Sequence, residues 1–252
     1  MPRTLTGPLD GPLDGPLDGP LDGRLDGPLD GRLDGARAGS RPSRPVPRAT
    51  RLLLAGGVAA GPLFLGAGIV QGLARDGFDF GRHAISQLAL GDPGWIQTVN
   101  FLLTGALLGA GAVGLRRVLH WGGGAGGTWG PALVGVFGAS FPAAAAFPAD
   151  GGAGFPVGTP DATSLSVHGA AHMISGMVGY LALCAALPVL ARPLAARGHR
   201  GWAVASRLVP LGVLAGFAGS SATVVAFTAG AGLGLAWLAA VTARLLADAA
   251  NG

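Results

Sequence analysis

His168 and His172 stand one helical turn apart in a stretch that carries no charge, so their imidazoles share one helix face. Imidazole can ligate a metal, relay a proton or hold a hydrogen-bonded network together. A metal site needs three or four ligands. His83, His168 and His172 would supply three, with Asp79 or Asp150 as a fourth. The HxxxH spacing lacks the glutamate that HExxH metalloproteases use as a general base. A histidine network that organises helices is therefore the first expectation, and a metal ion the second. Ser86 follows His83 by three residues and is the candidate nucleophile, although no nucleophile-elbow pattern flanks it. Gln97, Asn100 and Thr104, three and four residues apart, fall on one stripe of the next apolar segment. Asp79, His83, Ser86, Asn100, Asp150, His168 and His172 thus form the expected polar cluster.

The elements that position these residues are apolar. Half of the 252 residues are hydrophobic and only 12% are charged, against roughly 25% in soluble domains. Between Leu52 and Asn251 there are nine arginines and six aspartates, and lysine and glutamate are absent throughout. The mean hydropathy is +0.50. A spanning helix needs about 20 mostly apolar residues. Leu52–Ala74, Ile96–Leu115, Trp129–Ala149 and Val167–Ala191 each meet that length. Leu208–Ala243 is too long for one crossing. Extended to Trp202 and Leu246 with Arg207 snorkelling, it holds two spans. The turn between them is expected near Ala218–Ser221, with Thr228–Gly232 as the alternative. The fold class that follows is all-α, a polytopic membrane bundle of about six transmembrane helices over residues 52–246.

Arginine fixes the expected orientation. Arg116, Arg117, Arg192, Arg197, Arg200, Arg207 and Arg244 fall on the side of the N-terminus, while the opposite side holds Arg75 and Arg82 close to Asp76 and Asp79. By the positive-inside rule both termini are cytoplasmic and the polar cluster faces outward across the cell membrane. The pI near 10.9 reflects few acids and not a dense basic stripe, so a nucleic-acid partner is not expected. Membrane lipid is the expected surrounding. Cys184 is the sole cysteine, which excludes an internal disulfide; it reads as a small apolar side chain. The pairs Gly105/Gly109, Gly212/Gly216 and Gly230/Gly234 read as close helix packing.

Ahead of the spans, Gly7 to Asp34 is seven tandem tetrapeptides, GPLD five times and GRLD twice. Repeated Gly-Pro cannot sustain a helix and one leucine in four buries too little for a core, so residues 1–51 are expected to form a disordered, low-complexity tail. Its last part, with Arg37, Arg41, Arg44, Arg48 and Arg51, is basic and juxtamembrane. Pro-to-Arg interchange by one base change points to slippage of a short DNA repeat, with translation from near Val46 as the alternative start. The first 50 residues contain no apolar core of signal-peptide length, so the first span is expected to act as a signal anchor.

His83–Gly91 (HAISQLALG), followed by Gly94-Trp95, Asn100-Phe101 and Gly105, resembles the bacterial multi-pass membrane family known as domain of unknown function 998. Phe147–Asp150 (FPAD), Gly154–Pro160 (GFPVGTP) and His168–His172 (HGAAH) resemble that family's later loop and fourth helix. The resemblance runs from about Leu52 to Leu246. It implies six helices with polar positions gathered at the outer face, and no assigned activity. The family's polar Gln/Glu-Arg pair before the last tryptophan is replaced here by AGLGLAW, Ala231–Trp237. Two functions are in view. One is a binder of a small molecule or lipid with a His/Asp cluster at its outer face. The other is a membrane-embedded, metal-dependent hydrolase acting on lipid, with His83, His168 and His172 as ligands.

Overall fold

A computed structural model describes residues 46–120, 125–161 and 164–251. The repeat tail falls outside the described residues. Six helices follow in order: α1 Arg48–Ala74, α2 Gly94–Leu119, α3 Ala125–Ala146, α4 Val167–Ala196, α5 Arg200–Ala218 and α6 Val224–Asn251. All six are long and apolar enough to cross a membrane, and no strand occurs among the described residues. The protein is a six-helix membrane bundle.

Each helix packs on its neighbours in the chain, and α6 returns to α1, closing a ring. Small residues permit the approach, because lipid supplies no hydrophobic drive between helices. A Cβ on Gly216 of α5 would stand 2.7 Å from Gly230 Cα of α6, closer than any side chain allows. Gly212 and Gly234 also meet neighbouring helices, whereas Gly109 faces open space. Leu52, Val70, Leu73, Ile174, Val178, Leu181 and Leu211 are exposed, as lipid-facing residues are.

Two ends can be told apart. One, here the loop end, carries the 75–93 and 147–166 connections and the short α5–α6 turn. The other carries Arg116, Arg117, Arg192, Arg197, Arg200 and Arg244. The α5–α6 reversal is a 3-10 turn at Gly219–Ser221, the first of the two expected places. The third span is shorter at its end than expected: α3 stops at Ala146 and not at Ala149, since Pro148 cannot continue a helix. The fourth runs further, to Ala196. Its 30 residues are more than one hydrocarbon thickness requires, and its last turns carry Arg192.

Candidate functional site

The 75–93 connection folds on His83. Asp79 turns its carboxylate back onto its own loop, where Oδ1 accepts from the Gly81 amide at 2.7 Å. The Asp79 amide donates to His83 Nδ1 at 2.8 Å. The other ring nitrogen, Nε2, lies 3.0 Å from the Ala153 carbonyl oxygen. A carbonyl only accepts, so Nε2 carries the proton and donates. The ring is 2% exposed, between Phe78 and Phe155 at 5.4 and 5.2 Å. Arg75 donates to the Leu90 carbonyl and lies over the Phe155 ring at 5.4 Å. An exposed Arg82–Asp161 ion pair of 3.0 Å joins the same two connections. His83 is thus a staple between loops with both nitrogens engaged.

The second connection leads into α4 through Asp150. Its Oδ2 accepts from the Ser166 amide at 2.8 Å, and its Oδ1 from the Ser166 hydroxyl at 2.5 Å. Ser166 Oγ in turn accepts from the Gly169 amide at 3.0 Å, capping α4. The carboxylate lies directly on the helix backbone: a Cβ at Gly169 would be 2.0 Å from Oδ2. That contact gives the glycine of HGAAH its reason. The hydrogen bond from the Ser166 hydroxyl, then that from its amide, hold the Asp150 carboxyl below the usual aspartate range. Burial opposes the shift, and His168 and His172 add to it.

His172 closes the end of α3. Its Nδ1 lies 2.8 Å from the Phe147 carbonyl oxygen and 3.2 Å from that of Ala144, so Nδ1 carries the proton and satisfies carbonyls that the helix end leaves open. The ring meets Phe101 edge-on at 6.1 Å. Nε2 has no partner among the described residues. His168, one turn earlier, is exposed, with its ring 6.0 Å from Phe147.

Inside the loop end is a cavity of about 490 Å³, within the range of roughly 300–1,000 Å³ typical of small-ligand sites. All six helices contribute to its wall: Phe64, Phe101, Phe141, Met173, Met177, Tyr180, Phe217 and Phe227 supply most of the apolar surface. Its polar side chains are Ser86, Gln87, Ser140, Asp150, His172, Ser220 and Thr228, and Tyr180 adds a phenol hydroxyl. Gln87 is engaged, accepting from the Ala84 amide at 2.9 Å and donating to the Asp150 carbonyl at 3.1 Å. The Ser86 hydroxyl has no partner among the described residues.

Asn100 belongs elsewhere. Its amide donates to the Phe64 carbonyl at 3.2 Å and to Gln97 Oε1 at 3.1 Å, while Gln71 donates to the same Gln97 oxygen at 2.8 Å. This network lies between α1 and α2, and Gln97, Asn100 and Thr104 are not among the residues lining the cavity. The seven expected cluster residues therefore divide. Ser86, Asp150 and His172 share the cavity, whereas His168 is exposed and not among the residues that line it. Asp79 and His83 bind the loops together, and Asn100 ties two helices. Among the described residues no three His, Cys, Asp or Glu side chains form a set that could hold a metal ion, so the His83, His168 and His172 trio is not assembled as ligands.

Sequence reasoning missed Ser166, Gly169 and the aromatic wall from α4, α5 and α6. Serine just ahead of an apolar run is an N-cap signature that could have found Ser166. Nothing local marks Tyr180, Phe217 or Phe227 as facing one space.

No curated protein and no solved structure matches this chain. A family model, described as protein of unknown function (DUF998), matches residues 58–245. That match reaches all six helices, from within α1 to within α6, and covers both motif-bearing connections. The chain belongs to the DUF998 family of multi-pass membrane proteins of unknown function.

Proposed function

We propose that this protein binds a membrane amphiphile in the cavity at its loop end, with that end on the outer face of the cell membrane. The observation that carries the reading is a contrast within one cavity. Its wall is aromatic and thioether carbon from six helices, yet Ser86 Oγ and His172 Nε2 stand on it without partners among the described residues. Unengaged polar atoms within a membrane bundle are costly, and they mark functional positions. A ligand with an apolar body and a polar end satisfies both parts. The orientation rests on arginine. Seven of the nine arginines after Leu52 belong to the other side of the bundle, which supports a cytoplasmic side for both termini. Exposed Trp95 and Trp129, at the starts of α2 and α3, suit the two interfaces.

Gly176 gives a direct test, because it lines the cavity and a Cβ there would meet nothing within 4 Å. Gly176→Phe should fill the space without disturbing the fold. Extraction in a mild detergent followed by mass spectrometry should find amphiphile retained by the wild type. The Gly176→Phe protein, equally monodisperse and thermally stable, should retain several-fold less. Equal retention by the two proteins, or none by either, would overturn the reading.

A further inference from the structure

Charge and shape together narrow the ligand class, granted the amphiphile-binding reading on which this inference rests. The arginines of the loop end are held away from the cavity, Arg75 on the Leu90 carbonyl and the Phe155 ring, Arg82 on Asp161. Among the described residues that line the cavity, Asp150 alone is an acid and none is an arginine or lysine. Both Asp150 oxygens already accept from Ser166, which fixes the carboxylate in place as an anion. His172 uses its Nδ1 proton on the α3 carbonyls, so in the neutral ring Nε2 can only accept. Ser86 can donate or accept. The polar side of the cavity therefore offers acceptors and a negative charge, with no cation to receive an anion. A phosphate or carboxylate head would face Asp150 uncompensated, whereas a hydroxyl, amide or ammonium finds acceptors.

Shape adds the tail. A narrow apolar slot of about 60 Å³ runs between α4 and α5, lined by Leu181, Cys184, Val213 and Leu214. Met177, Tyr180 and Phe217 line both the slot and the cavity, so the two lie side by side. Met177 and Leu181 are about half exposed, at 48% and 51%, on the lipid-facing side of α4. The slot thus lies between the cavity and the exposed face of α4.

We propose that the cavity selects a single-chain amphiphile whose head is uncharged or cationic and donates hydrogen bonds, with the head at Asp150, His172 and Ser86 and the chain filling the apolar part of the cavity and leaving past the α4–α5 slot. Anionic heads are disfavoured. The test uses the full chain in phosphatidylcholine nanodiscs at about pH 8, above the ordinary histidine range. Four radiolabelled hexadecyl-chain probes are compared: a monoacylglycerol, an alkylamine, a fatty acid and a lysophosphatidate. The first two should bind roughly tenfold or more tightly than the last two, the scale of one uncompensated like-charge contact near a protein surface. Equal binding of all four, or tighter binding of the anions, would overturn the head selectivity while leaving the amphiphile reading intact. Binding of none would overturn both. Asp150→Asn should bring the anionic probes to within about threefold of the neutral one, the residue left once the Coulomb repulsion is gone; an unchanged ratio would remove Asp150 from the role. The wild-type series decides the selectivity by itself should that variant not fold. For the chain, Leu214→Trp should weaken the hexadecyl monoacylglycerol several-fold and spare the octyl one. Equal effects on both would overturn the slot assignment.

Discussion

The two ends of the bundle are both rich in polar contacts, and they differ in what stands beside the polar atoms left over. Arg51 Nε, toward the arginine end, is buried without a partner among the described residues and does not line the cavity, whereas Ser86 and His172 stand on it. Toward the arginine end, His199 and Arg244 both meet Asp248, each at 2.9 Å. Trp202 stacks on Trp237 at 5.3 Å, and the Trp237 indole donates to Ser206 at 3.0 Å. Around them Leu187, Leu190 and Leu194 are fully buried. At the loop end the helices part, and the polar contacts stop one atom short at both Ser86 and His172. A membrane bundle gains specificity from polar groups only when they are matched, since hydrocarbon offers no substitute partner. A matched network beside packed leucine is therefore read as structure. Unmatched atoms beside a cavity are read as a site.

The largest expected effect tests the packing half of that contrast. Leu187→Ala should destabilise the protein by about 2–4 kcal/mol, the range of cavity-forming truncations in packed cores. Lost contacts carry the effect, because lipid is as apolar as the site the leucine leaves. Met177→Ala, on the cavity wall, should cost under about 0.5 kcal/mol, as at other positions already open on one side. Thermal denaturation in one detergent compares them directly. Similar losses would mean that the loop end is as tightly closed as the other.

The same contrast explains what the sequence disclosed. Six spans were legible because hydrocarbon thickness imposes a length on every crossing, and the α5–α6 reversal because no single helix could hold so long an uncharged run. The polar positions were legible as polar, but their division among three networks was not. His83 and His172 look alike on paper, and what separates them is a backbone carbonyl. His83 Nε2 meets that of Ala153, 70 positions along the chain, whereas His172 Nε2 has no partner among the described residues. A carbonyl has no residue identity, so no pattern announces it. Asn100 was misgrouped for a related reason. Its stripe on α2 was correct, but the stripe faces α1, and the adjacent residue Phe101 faces the cavity.

An intermediate effect separates the two histidines. His83→Ala removes two hydrogen bonds and leaves the Asp79 amide and the Ala153 carbonyl facing an apolar gap between Phe78 and Phe155. The expected cost is about 2 kcal/mol, two bonds at roughly 1 each, together with faster trypsin cleavage at Arg82. His172→Ala should leave that cleavage unchanged and instead reduce amphiphile retention. A loss of retention in His83→Ala without any change in cleavage would place His83 in the site after all.

The smallest effect concerns Asp150, whose charge is open to solvent and therefore screened. Its carboxyl is held below the usual aspartate range by the Ser166 hydroxyl and amide. A depressed folded pKa means that the unfolded chain takes up the proton first as the pH falls. The stabilisation is therefore complete above the ordinary aspartate value of about 3.9. It declines as the pH drops through that value and is gone once the folded carboxyl itself protonates, at lower pH. Loss of the charge weakens the Asp150–Ser166 pairing and with it the cap on the first turn of α4. Pepsin, active in acid and partial to leucine, reads this at Leu165, which is exposed beside the cap. Cleavage should stay slow at pH values near the ordinary aspartate range and accelerate only below it. In Asp150→Asn the acceleration should vanish, leaving one cleavage rate across the acid series once pepsin's own pH profile is divided out. Persistence of the acceleration in that variant would assign the transition to another carboxyl, Asp161 being the nearest in sequence to the cleavage site, and would leave the α4 cap independent of charge.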